Sequence, residues 1–299
     1  MGDAMVSVVV ATYNREQLLI DALGDMFDWD YPAYEILVVD QSDGHEEATA
    51  SQLERWQREG AIRWIRQPVA SLTAARNRGI REARGEIVLF VDDDVRVPAR
   101  DFLSQHVRAL GEAGVGGVAG RVLEPDRPPK TVARAIGWMG LLGSREPGFG
   151  SGWGGEAWSV RGCNMSFHKS ALLAIGGFDE RFTHSAFRED TDVSLRMRHA
   201  GYRLRFAPGA WLYHLGAPSG GTRDKSIAVA EDLMMNDARL AFFDLTAGHR
   251  LLWLLRLYGS RVLKAAWVSG KFYRRHRVFF QAVRAARRQH RESNSAKGR

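Results

Sequence analysis

The chain has 299 residues, 45% hydrophobic and 26% charged, the composition of an ordinary globular protein with one large domain or two small ones. Its one cysteine, Cys163, excludes an intrachain disulfide and a cysteine zinc site, and fits a reducing compartment. The net charge of +7 is uneven: residues 246–299 carry 14 Lys and Arg against one acid, Glu292, while residues 1–245 are net acidic. Such a basic tail seeks a membrane surface, a nucleic acid or an acidic partner.

In chain order, Val6 to Ala11 reads as a strand buried on both faces, an uninterrupted apolar run bar Ser7. A strand starting there leaves no room for a signal peptide, and MGDAMV lacks the Ser or Thr that myristoylation wants at its sixth position. Thr12-Tyr13-Asn14-Arg15 closes the strand, and its Thr/Asn cluster predicts a cap for a helix over 16–27. Tyr34 to Val39 is a second strand, ending in Asp40-Gln41-Ser42-Asp43-Gly44. A helix over 46–59, a short strand over 62–65 and a helix over 71–84, stopped by Gly85, follow. Ile87 to Val91 is the next strand and ends in Asp92, Asp93 and Asp94. This alternation predicts a mostly parallel sheet flanked by helices.

Gly114 to Ala119 matches the dinucleotide fingerprint G-x-G-x-x-G/A, but it follows a helix (102–112) and opens a strand, the reverse of what the fingerprint needs. Gly114 reads more simply as the cap of that helix. Residues 125–156, rich in Pro and Gly and containing Trp138 and Trp153, read as irregular loops of the kind that wall acceptor sites. Order returns at 159–167, with a helix over 169–175, a carboxylate pair Glu189-Asp190, a helix over 192–199, and apolar strands over 202–207 and 210–214, the last ending at His214.

From Ile227 the tail reads as helical. Arg256, Ser260 and Lys264 lie four apart and form a polar stripe, and Arg256, Arg261 and Lys264 interrupt the apolar run too often for it to span a bilayer. With Trp253, Trp267, Lys271, Arg274, Arg275 and Arg277, residues 250–291 suit a helix lying on an anionic membrane surface. Packing on its own catalytic domain or on a homodimer partner fits the pattern equally well.

Three strands ending at Thr12, Asp40 and Asp92 would line one edge of a parallel sheet, the natural place for a nucleotide. No G-x-x-x-x-G-K-[ST] loop is present to hold phosphates. A metal would therefore be needed, and the hard oxygens of Asp92 to Asp94 suit Mg²⁺ or Mn²⁺. A metal on a diphosphate stabilises the charge that develops as a nucleoside diphosphate leaves. Glu189-Asp190, at the start of a helix, offers a carboxylate to take a proton from an incoming hydroxyl.

VVVATYNR at 8–15, ILVVDQSD at 36–43, ARNRGI at 75–80, FVDDDV at 90–95, GGFDERF at 176–182 and EDTD at 189–192 together resemble the family-2 glycosyltransferases of the GT-A fold. The resemblance covers roughly residues 6–216. It implies an α/β fold of the nucleotide-diphospho-sugar transferase type, a nucleotide-sugar donor, a divalent metal (Mn²⁺ or Mg²⁺) and inversion at the anomeric carbon. Carried over by position, Thr12, Tyr13 and Arg15 would line the base pocket, and Asp40 would accept from the nucleobase with Asp43 nearby. Arg76 would position the nucleotide. Asp92 and Asp93 would face the ribose and phosphates, and Asp94 would hold the metal with Asp92 and His214. Asp190 would be the general base, oriented by Glu189. Arg223 would clamp the diphosphate, against the plainer reading of a solvated arginine. Asn164 would face the donor sugar or satisfy backbone groups.

The expected division is a catalytic domain over 1–226, with a nucleotide-binding half (1–98) and an acceptor half (99–226), and a basic helical extension over 227–299. Asp40 fits a uracil or thymine imide, which favours UDP or dTDP donors. The acceptor is a glycan, a lipid-linked molecule or a small molecule, and nucleic acid is a weak alternative partner for the tail. The expected location is cytoplasmic or peripheral on the inner membrane face. The QxxRW motif of processive synthases is absent, which favours transfer of a single sugar, and the loop after Asp40 looks short, which leaves Asp43 without a defined role. A sugar-nucleotide nucleotidyltransferase would want a Gly-rich basic loop where ATYNRE stands, and a non-catalytic binding protein would not need both carboxylate sites.

Overall fold

A computed structural model describes residues 4–125, 148–217, 220–221, 227–243, 245–264 and 272–297. Trp138, Arg223, Trp267 and Lys271 lie outside them. The chain forms two compact units. Of the described residues, the first comprises those up to 125, 148–180 and 189–221, and the second 181–188 and those from 227 onward.

The first unit is built on a sheet ordered β3-β2-β1-β4-β8-β6-β9-β5, with β7 paired to β9. Its parallel portion comprises β1 (Val6–Thr12), β2 (Tyr34–Asp40), β3 (Arg63–Arg66) and β4 (Ile87–Asp92). Helices α1 (Gln17–Met26), α2 (Glu47–Arg58) and α3 (Leu72–Glu82) make the crossovers. The apolar runs in β1 and β4 are buried throughout, as strands covered on both faces require. Beyond β4 the sheet turns mixed, because β8 (Asn164–His168) runs antiparallel to both β4 and β6 (Val115–Leu123).

Two pairings place the site. The register of β1 puts Thr12 beside Asp40 and Ala11 beside Asp92, so three loops open at one sheet edge. Short β5 (Val95–Arg96) then pairs with the far end of β9 (Arg203–His214), Val95 opposite His214, which folds the acid-rich turn onto that histidine. β9 is one strand where the sequence reads as two. Its pairing with β6 slips between Ala207 and Trp211, around Pro208 and Gly209, because proline lacks the N–H that a continuous ladder needs.

Other boundaries shift for local reasons. The helix α1 has no side-chain cap: its N-cap position falls on Glu16, past the Thr/Asn cluster, and the Thr12 hydroxyl donates to Asp93 instead. In α3, Ser71 caps as its residue type predicts, accepting from Ala74 N at 3.4 Å. The helix α4 (Phe102–Leu110) stops before Gly114, whose φ of +75° belongs to the turn into β6 rather than to a helix cap. The glycine-rich fingerprint thus opens a strand, as its context implied. After α5 (Lys169–Ala174), α6 (Glu189–His199) begins three residues earlier than expected, which puts Glu189 and Asp190 in its first turn. Acids there complement the helix dipole.

Behind the site a buried polar network fixes three strands. His106 on α4 contacts Ser166 Oγ at 2.8 Å and Asn164 Oδ1 at 2.9 Å, and burial pushes its imidazole down to about 4, so it is neutral at pH 7. The Asn164 amide donates to Arg121 O and Ala210 O. Asn164 therefore satisfies backbone groups. A side chain at Gly120 would overlap its amide, which is why glycine stands there.

The second unit contains α7 (Ile227–Phe243), α8 (Ala247–Leu257), a π-helical stretch (Tyr258–Lys264) and α9 (Phe272–Lys297). Met234, Ala238, Phe242, Leu257, Val262, Phe279, Ala282 and Ala286 form its core. Among the described residues no helix is long and apolar enough to cross a membrane.

The Asn164 network yields a stability test. Gly120→Ala should cost roughly 1–3 kcal/mol by overpacking, read as a lower urea midpoint at unchanged m-value. A variant as stable as the wild type would contradict the close approach.

Candidate active site

The cluster begins with crowding. Asp93 and Asp94 are both buried, each 6% exposed, and Asp92 is partly exposed. Burial, partly offset by the Thr12 hydrogen bond at 2.7 Å, and the neighbouring Asp94 carboxylate push Asp93 up to about 7. Arg15 is drawn to the same cluster. Its guanidinium turns onto the acids, 3.6 Å from Asp93 and 3.5 Å from Asp94.

Asp94 is held on several sides. Its Oδ2 accepts from Ala217 N at 3.0 Å, its Oδ1 lies 3.5 Å from His214 Nε2, and its carbonyl accepts from Leu215 N. One ligand atom each from Asp92, Cys163 and His214 also lie within 4.8 Å of one another. Carboxylate oxygens, an imidazole nitrogen and a thiol converging in a negatively charged, largely buried space fit a divalent cation. The sequence points to Asp92, Asp94 and His214 as ligands but not to Cys163, whose solitary occurrence serves there only to exclude a cysteine zinc site. Its one local signal is the Gly-Cys-Asn turn before β8.

Asp40 sits in a different setting from the acid run. It is fully buried, and its Oδ2 meets Trp64 Nε1 at 2.9 Å, Arg66 Nη1 at 2.6 Å and His45 Nε2 at 3.0 Å. Its Oδ1 accepts from Ser42 N at 2.9 Å. Burial alone would raise its pKa, yet the hydrogen bonds from Ser42 and Trp64 and the charge near His45 hold it below the ordinary carboxylate value. Asp43 is exposed, and its carbonyl accepts from Arg66. Tyr13 is half-buried and its carbonyl accepts from Gly221 N at 2.8 Å. Gly220 and Gly221, at φ +70° and +67°, lie against Asn14 and Arg15, where no side chain fits.

Arg76, expected to position the nucleotide, is enclosed. It is 2% exposed and sits between the two carboxylate groups. Its Nη1 is 2.5 Å from Glu189, and its Nη2 is 3.3 Å from Asp92 and donates to Gly162 O at 3.0 Å. The guanidinium also lies 5.4 Å from the Phe178 ring centre and 5.9 Å from that of Phe90. Burial opposes its charge, but Glu189 and Asp92 outweigh that and raise its pKa, so it stays cationic. Burial pushes Glu189 upward, against the pull of Arg76 and with the help of Asp190.

Asp190, the other acid of the pair, is half-buried and, among the described residues, forms no ion pair with an arginine. Its Oδ2 accepts from Gly162 N at 3.3 Å and its Oδ1 from Thr191 N at 2.7 Å. Gly162 thus bridges the pair, giving its carbonyl to Arg76 and its N–H to Asp190. A Cβ on it would meet Glu189 Oε1 at 2.8 Å.

The Glycosyl transferase family 2 model matches residues 7–175, more than half of the chain. The chain is 30% identical over 239 residues to an uncharacterised protein of Sinorhizobium fredii, covering 75% of this chain and 26% of that protein. It is 26% identical to an O-antigen biosynthesis protein of Myxococcus xanthus, over 68% of this chain and 16% of that one. It is also 26% identical to an N-acetylglucosaminyltransferase of S. fredii, over 69% and 51%. The chain thus spans about half or less of the length of these curated relatives. Among solved structures, it resembles S. aureus TarS in complex with UDP-GlcNAc (TM-score 0.66, 18% identity, 93% of this chain and 79% of that one). It also resembles a Pyrobaculum calidifontis mannosyltransferase in complex with GDP-Man and Mn²⁺ (TM-score 0.58, 20% identity, 97% and 88%). These likenesses establish the GT-A fold.

Replacing Arg76 by Met leaves Glu189 and Asp92 without their shared cation. The expected loss is roughly 3–5 kcal/mol in urea denaturation, and wild-type stability would argue that the guanidinium is dispensable.

Proposed function

Because this chain belongs to glycosyl transferase family 2, we propose that it moves one sugar from a nucleotide-sugar donor to an acceptor hydroxyl by direct, inverting displacement. The observation that carries this reading is Asp190, a carboxylate half-buried beside its neighbour Glu189, which alone of the two is bound by Arg76.

Asp190 takes the proton of the acceptor hydroxyl as its oxygen forms a bond to the anomeric carbon. The bond from that carbon to the diphosphate oxygen breaks on the opposite face, and the nucleoside diphosphate departs with the electron pair. Gly162 N and Thr191 N aim the Asp190 carboxylate, while Glu189 and Arg76 hold the helix turn that carries it. Glu189 therefore positions the base and does not compete with it. A base held within hydrogen-bond reach contributes about 10²–10⁴ in rate.

At the other end, Asp94, Asp92 and His214 would hold a divalent cation, with the Cys163 thiol beside it. When bound, that cation neutralises charge on the leaving diphosphate. A nitrogen donor in the set suits Mn²⁺ better than Mg²⁺. The nucleotide would lie over the Thr12–Arg15 loop, and Asp40, enclosed at the end of β2, would meet the base once its present partners give way. Buried and held ionised, Asp40 favours an imide N–H, hence UDP or dTDP donors. The complexes of the structural neighbours, with UDP-GlcNAc in TarS and GDP-Man in the mannosyltransferase, support a nucleotide-sugar donor as the class. The acceptor is a glycan, a lipid-linked molecule or a small molecule.

Two experiments test this. Asp190→Asn should lower kcat by about 10²–10⁴ while thermal stability and donor affinity stay at wild-type values; a fully active variant would sink the assignment of the base. Second, UDP-sugars with Mn²⁺ should raise the melting temperature, since a ligand that binds only the folded state stabilises it, and the chain should hydrolyse donor slowly until EDTA is added. Donor binding without hydrolysis or transfer under any metal would instead mark a non-catalytic binding protein.

A further inference from the structure

The second unit holds a cavity whose lining shares no residue with the candidate active site. About 270 Å³ in volume, it is lined by Arg188, Asp237, Trp253, Arg256, Leu257, Ser260 and Arg261. We propose that this cavity is a binding site for a phosphate-bearing anion, separate from the donor and independent of the transfer chemistry.

Three guanidiniums and one carboxylate give the lining an excess of positive charge. Asp237, 2% exposed, contacts Arg188 at 3.1 Å and Arg261 at 3.4 Å, so one acid orients two cations. Both guanidiniums also lie against the Phe187 ring, at 4.6 and 5.7 Å, and Arg188 against Trp253 at 5.3 Å. Such stacking fixes the planar fork that arginine presents to phosphate oxygens. The apolar Trp253 and Leu257 lower the local dielectric and concentrate the field in the cavity. At this volume it is smaller than the ~300–1,000 Å³ clefts that take drug-sized ligands. It therefore suits a phosphate or a phosphate headgroup and not a whole nucleotide sugar.

Two backbone irregularities build the site. In a regular α-helix Arg261 would point well away from the wall that carries Arg256. The stretch Tyr258–Lys264 is π-helical instead, and i→i+5 bonding brings residues five apart onto one face, which aligns Arg261 with Arg256. In the segment that ends at the lining residue Arg188, His184, Ala186 and Arg188 all have positive φ, 54°, 48° and 79°. Each is a strained conformation for a non-glycine residue. Strain concentrated in the short segment that delivers Arg188 to the cavity is the pattern of a held ligand site.

The test uses the full chain in EDTA at low ionic strength. Calorimetric titration with inorganic phosphate should give saturable binding, weakened roughly tenfold or more when charge-assisted bonds are lost in R256Q/R261Q. Ser260 is exposed, so Ser260→Asp places a carboxylate at the rim without disturbing the core, and it should weaken binding likewise. Circular dichroism checks folding, and if the double variant does not fold, Ser260→Asp carries the comparison. Cosedimentation with phosphatidylglycerol vesicles but not phosphatidylcholine vesicles, lost in the same variants, would assign the phosphate to a lipid headgroup. Saturable phosphate binding without cosedimentation would assign it to a soluble anion. Failure of the wild type to bind either probe, or equal binding by wild type and folded variants, overturns the proposal.

Discussion

The guanidinium of Arg76 is the contact on which the site depends. A buried arginine is tolerable only when its donors are satisfied and its charge is matched. Asp92 at the end of β4, Glu189 at the start of α6 and the Gly162 carbonyl before β8 converge on it. These three segments are far apart in sequence and come from both halves of the sheet, so the same ion supports the fold and ties together the two carboxylate groups. Neither end can shift far without leaving a buried charge unmatched.

Once Arg76 is committed, the division of labour among the acids follows. Glu189 is taken up by the pairing, while Asp190 forms no ion pair with an arginine among the described residues, which is what recommends it as the proposed base. Asp94 is turned toward His214 by the pairing of β5 with β9, and Asp93 toward Thr12 and Arg15. Four acids that look alike in sequence thus have four environments, ranging from half-exposed to fully enclosed. Asp40, enclosed by Trp64, Arg66, His45 and Ser42, is a fifth case, kept ionised by donors and not by a neighbouring metal site.

What was legible in the chain was local. Apolar runs that stop at Thr12, Asp40 and Asp92 declare strands whose ends carry chemistry, and strand–helix alternation declares a common edge for them. The dinucleotide decoy at Gly114 could be dismissed from its neighbours alone. What could not be read depends on partners distant in sequence. Nothing near Arg76 in the chain announces its pairing with Glu189, and the acids that meet Arg15 lie 78 and 79 positions away. Cys163 has no motif of its own and gains meaning only when β8 is threaded beside β4. The segment 181–188 belongs to the second unit although it interrupts the first, a placement no linear division of the chain expresses.

The central claim is that Asp190 and the diphosphate-binding acids act from opposite sides of the anomeric carbon. The stereochemistry of the product tests this directly. Proton NMR of the product formed from an α-linked UDP-sugar, read from the anomeric coupling constant at early times, should show the β configuration. An α-configured product would contradict direct displacement and, with it, the roles of Asp190 as base and Glu189 as the residue that positions it.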